Sequence, residues 1–439
     1  MDVFRSGPSN DDKKLPLVHP LSPCSHLGGA RRSQGTPSVD DILHADRLRL
    51  QSLSETGTYS SAASTSDSIP IAGNDYDEFP GTLFYTVSLG YGTPAQQFTV
   101  TFDTAAGFSY LRCKPCKAGD SPCDTAFDPS LSSSFAPIPC GSPECAGSCS
   151  GQTTCPFRFG NSVFTEANGT VVKDTLTLSP SATVEGFTFG CTEFVEPWLY
   201  YGAAGMIDLS KNNRSVASRA VSSSPPSGSD DSTIAFSYCL PSNLSSPGFL
   251  SVSPSRSVYS GRQDVQYAPL VDNTAMPVFY FVELVGINVG GIDLQIPPSV
   301  PINNFTLIDM STTFTYFFPP VYAVLREEFQ RQMANYSMVA SPFIDLDTCY
   351  NFTGLTNEVV FLPIIRLEFA GGSSLELEFE QVMYFTNPAN YYSVACLAFG
   401  ETSPENTFPV SVIGNLAQMS AEMIYDVQGG KLGFAQGVC

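Results

Sequence analysis

Residues 84–110 read FYTVSLGYGTPAQQFTVTFDTAAGFSY. Phe84–Gly90 alternates apolar and polar side chains, as a half-buried strand does. Gly92-Thr93-Pro94 is a turn sequence, and Gln97–Phe102 resumes the two-residue period. The stretch predicts two joined strands, the second ending at Asp103. A later stretch echoes it. From Asp103 the chain runs Asp-Thr-Ala-Ala-Gly-Phe-Ser-Tyr, and from Asp309 it runs Asp-Met-Ser-Thr-Thr-Phe-Thr-Tyr. Each copy puts an aspartate at the end of an apolar strand, with an aromatic, a hydroxyl residue and Tyr at equal offsets. The copies lie about half a body-length apart, the spacing a duplicated lobe requires.

The rest of the body repeats this strand-and-turn texture. Asp174–Leu178, Phe187–Phe189, Phe279–Val289 and Val394–Phe399 read as strands, and Pro320–Ala334 is the clearest helix. With 439 residues, the chain suits two packed lobes plus extra segments. Only 14% of residues are charged, and Ser, Thr, Gly and Pro fill the gap, favouring short strands over long helices. The expected fold class is all-β and two-lobed. A lobe spans 79–255 and another 256–439, with residues 1–78 set apart. In that N-terminal part, residues 37–55 read as a helix with Ser38 as cap and Ile42, Leu43, Leu48, Leu50 and Leu53 as its apolar stripe. Ser54–Ser68 reads as a flexible linker, so residues 1–78 have the layout of a removable prosegment. Ser222–Ser232 reads as a surface loop of low complexity.

The formal charge is −21, from 21 Lys and Arg against 42 Asp and Glu. A surface of that sign repels nucleic acid. It suits either work in acid, where partial protonation relieves self-repulsion, or solubility alone. No run of 18 apolar residues occurs, so no membrane-spanning helix is expected.

Seven of the 13 cysteines crowd into 113–155: Cys113, Cys116, Cys123, Cys140, Cys145, Cys149 and Cys155. Zinc ligation, redox chemistry and a disulfide framework compete for them. Three histidines and no second C-x-x-C weigh against zinc, and disulfides are favoured. Six glycosylation sequons, at Asn168, Asn213, Asn243, Asn304, Asn335 and Asn351, point to the same secretory route. The N-terminal MDVFRSGPSNDDKKLPLV lacks the apolar stretch of a signal peptide, so a truncated start is expected ahead of another export route or residence inside the cell. Residence outside the cell (the apoplast) or in the vacuole follows from this reading.

Two carboxylates brought together at a lobe interface can share one proton, because like charges that close cannot both ionise easily. The anionic partner then serves as general base on a water, and the protonated one polarises a peptide carbonyl. No cofactor or metal is required. Asp103 and Asp309 are the candidates.

Tyr85-x-Val87-x-Leu89-x-x-Gly92-Thr93-Pro94-x-Gln96, followed by Asp103-Thr104, resembles the first active-site strand of pepsin-type aspartic proteases. The cysteine cluster and Phe127-Asp128-Pro129-Ser130 resemble the insertion of the plant nepenthesin-like group. Phe281 to Gly291, Ile413-Gly414-Asn415, and Tyr425-Asp426 to Cys439 are similar to its second-lobe motifs. His19–Cys24 and Asp46-Arg47-Leu48-Arg49 look like its propeptide. The resemblance covers nearly the whole chain. It implies a two-lobed pepsin-like fold and an endopeptidase made as a zymogen, acting in acid as a monomer on protein or peptide substrates. Asp103 and Asp309 would be catalytic, and Thr104, Thr312 and Phe159, the last in the flap, would bind substrate. It also implies a Cys349–Cys396 disulfide.

The chain departs from the family around the site. Asp-Thr-Gly-Ser is here Asp103-Thr104-Ala105-Ala106, and Asp-Ser/Thr-Gly is Asp309-Met310-Ser311. Both glycines are gone, and Ala106 removes a hydroxyl that supports the first aspartate. Phe159 stands for the flap tyrosine, and Tyr110 for the tryptophan after the first motif, the only Trp being Trp198. The apolar-apolar-Gly brace of the first loop reads Met206-Ile207-Asp208. The plant xylanase inhibitors resemble this architecture without acting as proteases, so a non-catalytic binding or inhibitor protein is the alternative expectation.

Overall fold

The computed structural model describes residues 14–17, 39–56, 85–116, 126–145, 149, 151–160, 165–180, 182–195, 203–223, 234–241, 248–296, 305–343, 345–355, 360–386, 393–402 and 410–438. Strands dominate, and the architecture is the two-lobed pepsin-like one. The expected strands at 84–90 and 97–102 are Thr86–Tyr91 and Gln96–Asp103, paired antiparallel with Val87 opposite Val100. Phe279–Val289 is split into Phe281–Val282 and Leu284–Val289. Val394–Phe399 is likewise split into Val394–Leu397 and Phe399–Glu401. The expected helix near 320–334 runs Pro319–Gln332, with prolines in its first turn, where no backbone donor is needed. The Ser54–Ser68 linker and the Ser222–Ser232 loop lie largely outside the described residues, as do Ser38 and Trp198. Among the described residues, no helix is long and apolar enough to cross a membrane.

The same three-strand device is built twice. In an eight-stranded sheet, Gln96–Asp103 and Tyr110–Arg112 flank Gly205–Asp208, parallel on one side and antiparallel on the other. In an eleven-stranded sheet, Thr306–Ile308 and Thr315–Phe317 flank Ser411–Ile413 in the same senses. Tyr110 faces Met206, and Tyr316 faces Val412. The echo in the sequence is thus an echo in space. Asp103 ends its strand and Asp309 directly follows Thr306–Ile308; a loop leaves each, and a tyrosine seven residues on re-enters beside the same central strand.

Buried rings lie beneath both devices. Phe236 stacks on Tyr425 with centroids 4.2 Å apart, and Tyr238 lies 5.8 Å from Phe102. Rings of this size supply much of the apolar burial that holds such a core. Two of the buried hydroxyls are paired within the core: Tyr280 donates to the Leu209 carbonyl at 2.8 Å, and Tyr238 donates to Gln418 Oε1.

The described cysteines form disulfides. The pairs among the described residues are Cys113–Cys191, Cys140–Cys149, Cys145–Cys155 and Cys349–Cys396, the last as the family resemblance implied.

Two N-terminal pieces dock on the body. Lys14–Leu17 extends the eleven-stranded sheet beside Gly248–Val252 and buries Leu15 and Leu17. Val39–Thr56 is a helix that buries Ile42, Leu43, Leu50 and Leu53. Asp46 and Arg49 fall on that same stripe, at helical spacing from Ile42 and Leu53.

Candidate active site

Arg49 reaches from the docked helix to both aspartates. Its Nη2 donates to Asp103 Oδ1 at 2.8 Å and to Asp309 Oδ1 at 2.8 Å, while Nε donates to Asp309 Oδ2 at 3.0 Å. A single nitrogen touches both carboxylates, so their oxygens lie within twice that reach of each other. Both aspartate side chains are almost wholly buried, and Arg49 is 14% exposed. Such short, charge-assisted contacts are the strong kind.

Neighbouring groups fix each carboxylate. Ala105 N–H donates to Asp103 Oδ1 at 2.6 Å, and the Ser311 hydroxyl on the opposite loop helps hold the Asp103 pKa down against its burial. Ser311 occupies a lost-glycine position. Thr312 Oγ1 donates to Asp309 Oδ2 at 2.6 Å. Thr104 bonds across the interface: its Oγ1 accepts from Met310 N–H at 3.3 Å and donates to the Ile308 carbonyl at 3.4 Å. Thr104 and Thr312 are fully buried, so their hydroxyls serve this framework. Met310 is buried in the apolar core. Asn415 Nδ2 holds the Met310 carbonyl at 2.9 Å, and Gln418 Nε2 holds the Asp309 carbonyl at 3.1 Å. Phe159 lies on the strand Pro156–Gly160 opposite Ala167, and its side chain lies outside what is described.

Burial raises the Asp103 pKa, since a charge withdrawn from water is disfavoured. Arg49 pulls it down, and the nearby Asp309 pushes it up. Asp103 therefore holds a proton at higher pH than an ordinary carboxyl and loses it as pH climbs.

The helix makes a second polar contact through Asp46. Its Oδ1 accepts from Thr313 N–H at 2.7 Å, and its Oδ2 accepts from Phe314 N–H at 2.9 Å and Tyr316 OH at 3.2 Å. Burial pushes the Asp46 pKa up to about 7, against those donors. Its contribution to docking is therefore full below the ordinary carboxylate range and declines as pH rises towards 7. The Arg49 contact runs the other way. A guanidinium favours the ionised pair, so its hold weakens as acid protonates the carboxylates. Arg47 adds an outer bond to Asp345 at 2.5 Å.

Sequence reasoning picked out Asp46-Arg47-Leu48-Arg49 but assigned it no contact with the aspartates. The available signal was a cation and an acid in phase with an apolar stripe, where a solvated helix carries neither.

Gly414 follows the Ile308–Ile413 pair, beside Asp309. A Cβ there would lie 2.2 Å from the Phe314 carbonyl and 2.5 Å from that of Thr313. Gly414→Ala is expected to destabilise the chain by about 1–3 kcal/mol or more, as overpacking does. An unchanged denaturation midpoint would contradict that contact.

The chain matches the family described as Xylanase inhibitor N-terminal over residues 85–252 and Xylanase inhibitor C-terminal over 279–436. It is 31% identical to aspartyl protease AED1 of Arabidopsis thaliana over 100% of this chain and 89% of that protein. It is 30% identical to aspartic proteinase nepenthesin-1 of Nepenthes gracilis over 84% of this chain and 81% of that one. In fold it is similar to the basic 7S globulin from soybean, with TM-score 0.60, 18% identity, and 81% of this chain and 91% of that one covered. Conglutin gamma from lupine seeds is similar at TM-score 0.60, with 16% identity over 80% of this chain and 91% of that one. The chain belongs to the plant pepsin-like aspartyl protease family.

Proposed function

We propose that this chain is an aspartic-type endopeptidase made as a zymogen, with Asp103 and Asp309 as its dyad and Arg49 as the plug. The observation that carries it is the single Arg49 nitrogen at 2.8 Å from a carboxylate oxygen of each aspartate. Two strand ends far apart in sequence converge on one cation, as a proton-sharing pair requires.

Once the helix leaves, the two carboxylates hold one proton between them and a water takes the guanidinium's place. The ionised carboxylate accepts a proton from that water as its oxygen adds to the peptide carbonyl carbon. The protonated carboxyl donates to the carbonyl oxygen, and Asp103, raised by burial, suits that part. Collapse of the tetrahedral adduct breaks the C–N bond, and the departing nitrogen takes the proton. Thr312 and Ala105 keep the carboxyls in place throughout. Acid loosens the Arg49 plug by protonating the pair, while Asp46 keeps the helix seated until the segment is cut away.

The same reading divides the chain into a prosegment at 1–78 and lobes at 79–255 and 256–439. It places the protein, as a monomer, in the secretory route, outside the cell or in the vacuole, where disulfides persist. A second reading is a binding or inhibitor protein. It is favoured by Ala105, Ala106, Met310 and Ser311, which replace the family's motif residues.

The test is digestion of a denatured protein at about pH 4 by the chain freed of residues 1–78. Hydrolysis blocked by a statine-type inhibitor is expected. A folded, segment-free chain that leaves the substrate intact would reject the protease and leave the binding reading.

A further inference from the structure

Asp208 stands where its counterpart in the other lobe is glycine. Asp103 pairs in register with Asp208, and Asp309 lies beside Gly414, one step past Ile308–Ile413. At Gly414 the loop after Asp309 packs so close that two carbonyl oxygens exclude any Cβ. There, backbone N–H groups secure the loop: Asn415 N–H donates to the Thr312 carbonyl at 2.7 Å and Leu416 N–H to that of Thr313 at 3.1 Å. The loop after Asp103 takes another course. Gly107, at φ 78°, turns its N–H onto Asp208 Oδ1 at 3.1 Å. This backbone region is one that side chains rarely tolerate, so glycine at 107 belongs to the arrangement.

The Asp208 side chain is fully buried and its hydrogen bonds are made. Ser210 N–H donates to Oδ1 at 2.8 Å, and Ser210 Oγ donates to Oδ2 at 3.1 Å. The Asp208 N–H in turn donates to Ser109 Oγ at 2.8 Å. The Asp103 loop is thus held at 107 and 109 by a single residue.

We propose that Asp208 is a positioning residue for the dyad, holding the Asp103 loop through Gly107 and acting on Asp103 by its charge. This deepens the protease reading and rests on it. The groups around it fit. Asp103 lies on the strand alongside, with Arg49 beyond it. Tyr280 donates to the neighbouring Leu209 carbonyl, and Lys211 is paired with Asp272 at 2.9 Å. Burial pushes the Asp208 pKa up to about 7, and Asp103 adds to the rise. The carboxyl is therefore neutral in acid and gains charge near neutrality. That charge favours retention of the dyad proton as pH rises.

The test compares segment-free parent, Asp208→Asn and Asp208→Ala chains. Asp208→Asn keeps acceptor geometry without charge, and Asp208→Ala loses both. Asp208→Asn should retain more of kcat than Asp208→Ala, with its alkaline limb moved down by about half a pH unit or more. A merely structural residue would leave that limb in place, and an unmoved limb overturns the proposal. Stability gives a readout independent of cleavage. The parent's advantage from the tightly held proton is complete below the ordinary carboxylate range and is lost as pH rises through about 7. The denaturation midpoint of Asp208→Asn should therefore gain on the parent's as pH rises. A gain in chains that do not cleave would sink the protease reading and leave the loop contact and charge standing. A difference flat with pH would overturn the proposal whatever the activity.

Discussion

The full-length chain carrying Arg49→Ala is expected to admit a statine-type inhibitor that the parent chain excludes. Arg49 makes three hydrogen bonds to two buried carboxylates and remains 14% exposed itself. Truncating one partner of a buried, hydrogen-bonded charge pair costs on the order of 2–5 kcal/mol. For the docked helix that corresponds to a fall in its hold of about thirtyfold to several thousandfold. Leu43, Leu50, Leu53 and Asp46 still anchor the helix, so it should open more often without leaving altogether. Calorimetric titration measures the effect as tighter inhibitor binding to the variant. Equal affinity in both chains would show that Arg49 does not close the site.

Asp309→Asn in the segment-free chain is expected to lower kcat/KM by about 10²–10⁴-fold, the usual worth of a positioned acid or base. Asp309 is fully buried and accepts from Thr312 Oγ1 at 2.6 Å. An amide in its place cannot share a proton with Asp103, and its NH₂ would face a donor. The surroundings should survive. The loop is held through backbone carbonyls by Gln418 and Asn415, which the change leaves alone. Steady-state kinetics beside a denaturation midpoint separates the two effects. An intact variant that loses less than about tenfold would remove Asp309 from the chemistry.

Much of this was legible in the sequence. The two-residue period marked the strands, and the offset from each aspartate to Tyr110 or Tyr316 marked the duplicated device, because one strand register governs both. The Cys349–Cys396 pair came from family likeness; the other pairings needed the fold, since spacing alone does not choose among them. Arg49 was hidden for a different reason. A helix pattern shows which face is buried, but not that the covering surface holds two carboxylates needing a cation. In the sequence Asp208 was only an acid at the glycine position of the brace. Its partners are a turned glycine N–H a hundred residues earlier and a serine two residues on, contacts that only folding creates.

Carbon-13 NMR of labelled aspartate carboxyls, titrated in the segment-free chain with Asp103→Asn and Asp309→Asn for assignment, bears most directly on the dyad. A coupled pair that keeps one proton well above the ordinary carboxylate range is the expected result. Two separate transitions, both within that range, would contradict it.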